Sequence, residues 1–147
     1  MQQSARVSNR VDSMFRAFSD RTRLRILCLL RQREFCVGDI VSVLDLPQPT
    51  ISRHLAYLRK AGLVRVRKLG LWCLYSLAPA ETDFHAKLLA CLANCFAEVP
   101  EIRLDSARAA EIDDTGGCCP RVKRKPPESR GDCPRHDEGS APCRRQQ

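Results

Sequence analysis

Residues 47–77 read PQPTISRHLAYLRKAGLVRVRKLGLWCLYSL, and their hydrophobic period changes once, at Gly62. Before it, Ile51, Leu55 and Leu58 recur at helical spacing, and Pro49 stands in a first turn where a missing N–H costs nothing. Gly62 suits the position just past a helix C-terminus. This predicts a helix from about Gln48 to Gly62, with Gln48, Thr50, Ser52, Arg53 and, more obliquely, His54 on or near its outer face. Beyond Gly62, Val64 and Val66 alternate with Arg65 and Arg67, Gly70 permits a tight reversal, and Trp72, Leu74 and Ser76 alternate with Cys73, Tyr75 and Leu77. The expected element is a two-stranded hairpin with a basic first strand and Lys68 near its tip.

Upstream, Val11, Met14, Phe15 and Phe18 fall at i, i+3, i+4 and i+7, predicting a first helix that ends near Ser19 and Asp20, polar residues able to cap the next. In that next helix Leu24, Leu27 and Leu30 share the buried side, Ile26 and Cys28 stand at its margins, and Arg21 and Arg25 point outward. A short third helix is expected from about Cys36 to Leu44, with Val37, Ile40, Val41 and Leu44 inward and Pro47 as its stop. Three helices, a fourth with polar groups at its N-terminal end, and a basic hairpin make a mainly α winged helix-turn-helix. The fourth helix is then the one that enters a major groove: its short polar groups and arginine fork reach base edges while its dipole meets phosphate.

Charge supports this reading. Leu46 to Ala80 holds no acidic residue but carries Arg53, Arg59, Lys60, Arg65, Arg67 and Lys68. A one-sign window suits a polyanion, because neutralising phosphates releases condensed counterions. A solvated face with chance clustering is the plainer explanation. The chain has 147 residues, 25 Lys+Arg against 17 Asp+Glu, and 44% apolar residues, enough to bury one core without disulfides. No stretch approaches the roughly 18 apolar residues of a membrane span. The first ten residues lack an apolar leader core, so a cytoplasmic protein is expected, with its nine cysteines as thiols.

A last helix from about Glu81 to Val99 presents Phe84, Leu88, Cys91, Leu92, Cys95, Phe96 and Val99 on one broad apolar face. So small a domain has little of its own to cover that face, which predicts a homodimer built on this helix with help from the first. Pairing would set two recognition helices about one turn of duplex DNA apart. From about Ser106 onward Gly, Pro and charged residues replace large apolar ones. Composition thus divides the chain into a winged-helix and dimerisation domain, residues 1–105, and a flexible tail, residues 106–147.

The runs FSDRTRLRIL (18–27), EFCVGDI (34–40), PTISRHL (49–55) and LRKAGLV (58–64), with the Gly70 wing, together resemble the ArsR/SmtB family of bacterial metal-responsive repressors over about Val11 to Val99. The resemblance implies a homodimeric repressor that holds a double-stranded DNA operator and leaves it when an inducer binds. On this reading Gln48, Thr50, Ser52, Arg53 and His54 lie at the major groove, and Arg65, Arg67 and Lys68 at the backbone or minor groove.

The resemblance also directs attention to ligands. Arsenite-responsive members resemble Glu-Leu-Cys-Val-Cys-Asp-Leu at the start of the third helix; here the first thiol is Cys36 but the second position is Gly38, so that pair is incomplete. Zinc-sensing members use Asp-x-His near the start of the last helix. Asp83 and His85 match it, but Phe96 and Val99 stand where its further ligands belong. What remains is sulfur-rich: Cys91 and Cys95, one helical turn apart, and the vicinal pair Cys118 and Cys119. Soft thiolates favour thiophilic ions, and some members sense trivalent arsenic through cysteines near the C-terminal end. The expected inducer is trivalent arsenic or antimony, as arsenite or antimonite, held by Cys118 and Cys119 with Cys95 or Cys91 if the tail folds back. Against this, nine cysteines placed at random give roughly 0.5 adjacent pairs, and cysteines on an apolar face are often plain packing. A cadmium- or lead-responsive repressor, and a thiol-redox or sulfur-responsive one pairing Cys36 with a later cysteine, are the alternatives. A cysteine enzyme is not expected, because neither His54 nor His85 comes with an oxyanion nest or cleft.

Overall fold

A computed structural model describes residues 2–119; Cys133, His136 and Cys143 of the tail lie outside them. The order is α1 (Gln2–Phe18), α2 (Arg21–Leu30), β1 (Phe35–Cys36), α3 (Val37–Leu44), α4 (Gln48–Lys60), β2 (Val64–Leu69), β3 (Trp72–Leu77), α5 (Asp83–Asn94) and α6 (Pro100–Thr115). Asp20 caps α2 by accepting the Arg23 N–H at 2.9 Å. Gly62 takes a φ of 77°, a left-handed turn that delivers the chain from α4 into β2. Ile26, Leu27, Ile40, Leu55, Leu58 and Leu63 form the core, closed by Met14 from α1 and Phe35 from β1.

β2 and β3 pair antiparallel from Val64 opposite Leu77 to Leu69 opposite Trp72, giving the expected wing. A third strand joins it, in the order β1-β3-β2, with Phe35 opposite Tyr75 and Cys36 opposite Leu74. Two residues carry no readable period, which is why the sequence places Cys36 at the start of the third helix. The structure makes it the last residue of β1 and the N-cap of α3.

Two expectations are corrected at the C-terminal end. The helix expected over 81–99 stops at Asn94, and a further helix, α6, starts at Pro100 and runs through the 105/106 boundary to Thr115. Composition hid α6 because its buried stripe is thin, Ile102 and Ala109 with Ile112 alongside, and because many of its contacts with α2 and the turn after it are polar. Arg21 pairs with Glu101 at 3.1 Å, Arg25 with Asp105 at 2.7 Å and Arg33 with Asp113 at 2.7 Å. Gln32 donates to Ser106 Oγ at 2.9 Å, and Arg108 to the Val43 carbonyl at 3.1 Å.

The same docking corrects α2. Every residue from Ile26 to Leu30 is buried, since α6 covers the side that would otherwise face water. Arg25, expected to point outward, instead gives two 2.7 Å hydrogen bonds to an Asp105 side chain that is 4% exposed. Among the described residues no helix is long and apolar enough to cross a membrane.

Candidate metal centre and nucleic-acid interface

Ile51, Leu55 and Leu58 root α4 in the core and so turn Arg53 outward. Arg53 is exposed and has no hydrogen bond or ion pair among the described residues, and Gln48, Thr50 and Ser52, all half-buried, share its half of the helix. His54 turns the other way: its ring nitrogen lies 3.8 Å from the Asp20 carboxylate, against the start of α2. On the wing, Arg65 donates to Ser76 Oγ at 3.1 Å and Lys68 is exposed. Arg67 is engaged within the fold. Its Nε donates to both Glu34 carboxylate oxygens, at 2.9 and 3.0 Å, and the pairing raises the guanidinium pKa. Glu34 lies upstream of the acid-free window, so sequence order concealed a negative charge at the root of the wing.

The structure brings together a sulfur set other than the expected one. Gly116, with a φ of 82°, ends α6 and turns the chain, and the residues that follow return to the N-terminus of α3. There Cys36 Sγ and Cys118 Sγ are 2.7 Å apart, and Cys118 Sγ and Cys119 Sγ 3.9 Å apart. Donor atoms of Cys36, Asp39, Cys118 and Cys119 all lie within 4.8 Å of one another. Cys91 on α5 and Cys95 at its C-cap, expected to supply the third sulfur, stay outside this group. Cys36 takes that place.

The local reason is Gly38. A Cβ at position 38 would stand 2.5 Å from Cys118 Sγ, so a side chain there would push the Cys118 sulfur from its observed place. The motif left incomplete along α3 is filled from a residue 82 positions away. Gly117 has a matching role: a Cβ there would lie 2.6 Å from Asp39 Oδ2, and Asp39 Oδ1 accepts the Cys118 N–H at 2.8 Å. Cys36 Sγ in turn accepts the Asp39 N–H at 3.4 Å. Burial pushes Cys36, Cys118 and Cys119 each up to about 12, so all three are protonated thiols at neutral pH. His85 is fully buried with its Nε2 unpaired among the described residues, and no further histidine or carboxylate joins it to form a cation site.

The family described as "Bacterial regulatory protein, arsR family" matches residues 20–66, the span from the cap of α2 into the wing. The arsenical resistance operon repressor of Escherichia coli is 46% identical over 77 residues, which cover 52% of this chain and 66% of that protein. The transcriptional activator HlyU of Vibrio cholerae is 36% identical over 89 residues, 60% of this chain and 82% of that protein; its solved structure matches with a TM-score of 0.51. The transcriptional repressor BigR of Xylella fastidiosa, 29% identical, matches with a TM-score of 0.53 over 65% of this chain and 91% of that one. With the helix-turn-helix, the wing and most of the length of HlyU accounted for, the chain belongs to the arsR family of bacterial regulatory proteins, DNA-binding transcriptional regulators and not enzymes.

Proposed function

We propose that this chain is a homodimeric cytoplasmic repressor that leaves its operator when trivalent arsenic or antimony bridges Cys36, Cys118 and Cys119. The observation that carries the reading is the meeting of three sulfurs at the N-terminus of α3, with Gly38 leaving room for them. Trivalent arsenic takes three sulfurs in a pyramid. Each thiol passes its proton to one hydroxyl of arsenous acid, three As–S bonds replace three As–O bonds, and three waters leave. No proton is left over, whereas a divalent cation must expel protons from the same thiols into solvent.

At the operator, Arg53 with Gln48, Thr50 and Ser52 reads base edges while Arg65 and Lys68 meet phosphates. Arg67 joins them only by leaving Glu34, and His54 supports α4 from behind. A second copy covers the apolar face of α1 and α5, where Phe15 is 55% exposed and packs its ring 5.3 Å from that of Phe84. The inducer ties the start of α3 to the segment beyond α6, and α6 is fastened to α2; a shift at that junction tilts α3 and α4 together. A coupling of about 1–3 kcal/mol is sufficient to empty a site held by a modest specificity margin.

The test is operator binding by the full chain, followed by fluorescence anisotropy with arsenite, antimonite, cadmium or zinc. Arsenite and antimonite lower the affinity, Cys36→Ser, Cys118→Ser and Cys119→Ser each abolish that response, and Cys91→Ser and Cys95→Ser leave it intact. Unchanged affinity at saturating arsenite refutes the reading. The 2.7 Å contact between Cys36 and Cys118 favours one competing reading: a hydroperoxide removes two electrons and two protons from this pair, giving a disulfide, an alcohol and water. Operator release with the loss of two thiols, in the absence of arsenic, would support it.

A further inference from the structure

We propose that Asp39 is the positioning residue that assembles the sulfur site, its carboxylate docking the segment after α6 onto α3 before any ligand arrives. The inference rests on Cys36, Cys118 and Cys119 being the inducer site, and concerns how that site comes to exist. Asp39 is 7% exposed and has no cation partner among the described residues. A buried carboxylate without a counter-charge is costly unless hydrogen bonds replace its water. Its Oδ1 takes the Cys118 N–H at 2.8 Å, the bond that fixes the backbone at Cys118. Both neighbouring glycines serve the same approach. Gly117 admits the carboxylate, where a Cβ would lie 2.6 and 2.7 Å from its oxygens, and Gly38 admits Cys118 Sγ. Without the docking, the vicinal pair is left with two sulfurs, and the third stays behind at the N-cap of α3.

A carboxylate in the first turn of a helix also favours the helix dipole, so the test must separate the two roles. Alkylation of each cysteine by N-ethylmaleimide, followed by mass spectrometry on the arsenic-free full chain, reads the docking directly. Asp39→Ala speeds labelling of Cys118 and Cys119 about tenfold, the loss of one charged hydrogen bond, while Cys28 in the core keeps its rate. Asp39→Asn removes the same charge but retains an acceptor oxygen, and stays within about threefold of the unaltered chain. Gly117→Ala, which leaves α3 untouched, reproduces the Asp39→Ala acceleration. Arsenite affinity falls about tenfold in Asp39→Ala and Gly117→Ala, with operator affinity in the absence of arsenite unchanged. The inference is overturned if Asp39→Ala leaves Cys118 and Cys119 as protected as before, if Cys28 accelerates with them, or if Asp39→Asn and Asp39→Ala behave alike. Failure of arsenite to release the unaltered chain from DNA sinks the inducer reading instead, and leaves the labelling result standing.

Discussion

Replacing Gly38 by alanine separates the sulfur site from the helix that carries it. Within the first turn of α3 the added methyl group favours the helix by about 0.5–1 kcal/mol. At the site it does the opposite. The new Cβ would stand 2.5 Å from Cys118 Sγ, where ordinary contact begins at 3.4 Å, so the sulfur must retreat by about 0.9 Å or rotate away. Binding constellations tolerate roughly 0.5 Å, and crowding of this kind costs about 1–3 kcal/mol. The arsenite dissociation constant therefore rises about 5- to 150-fold, while the melting temperature holds or increases. Arsenite titration of the operator complex, run beside calorimetry of the free protein, reads both signs. If Gly38→Ala binds arsenite as the unaltered chain does, Cys118 is not a ligand beside Cys36 and the reasoning fails. The converse substitution, Gly38→Cys, supplies a sulfur on α3 itself, and a response that survives Cys118→Ser in that background completes the argument.

Arg53→Ala removes about 1–3 kcal/mol of specific operator affinity and relaxes sequence preference without moving the melting temperature, measured by anisotropy on matched and mismatched sites. Glu34→Gln releases Arg67 towards DNA, so binding at low salt tightens and the log–log salt slope steepens by about one; an unchanged slope means that Arg67 stays on the protein. Asp105→Ala takes two charge-assisted hydrogen bonds from the half-buried Arg25 guanidinium and lowers unfolding free energy in urea by about 1.5–3 kcal/mol. Burial lowers the pKa of His85 in the folded chain, so the unfolded chain binds the proton more readily and stability falls as pH drops below about 6.5. His85→Leu flattens that fall in melts run between about pH 7 and 5; an identical slope in both proteins would place the acid sensitivity elsewhere.

The helix-turn-helix and wing were legible because their signals are local: a period of 3.6 giving way to 2 at Gly62, with Pro49 and Gly70 as punctuation. What escaped was non-local. β1 is two residues long and gains its identity only by lying beside β3. α6 binds through polar contacts and a thin apolar stripe. A trace existed nonetheless, since Arg21, Arg25 and Arg33 share the spacing of Glu101, Asp105 and Asp113, and each pair meets across the same 80-residue offset. The sulfur site was half legible. Cys118 and Cys119 announced themselves by adjacency, and Cys36 by its place in a motif, but their meeting depends on a helix that composition assigned to the tail. Glycine at position 38 could be read only as a missing thiol, because the space it keeps open is visible only with Cys118 in place.

Cys36 also serves the helix that it precedes. Its sulfur closes the open end of α3 by receiving the Asp39 amide, so the atom that would grip a metalloid also finishes a helix. Serine is a better stopper of helices than cysteine's weakly accepting thiol. On the proposed mechanism, exchanging sulfur for oxygen at that position keeps a cap on the helix but removes the chemical sensitivity, and one nucleotide change in a cysteine codon is enough to turn a responsive switch into a permanently closed one.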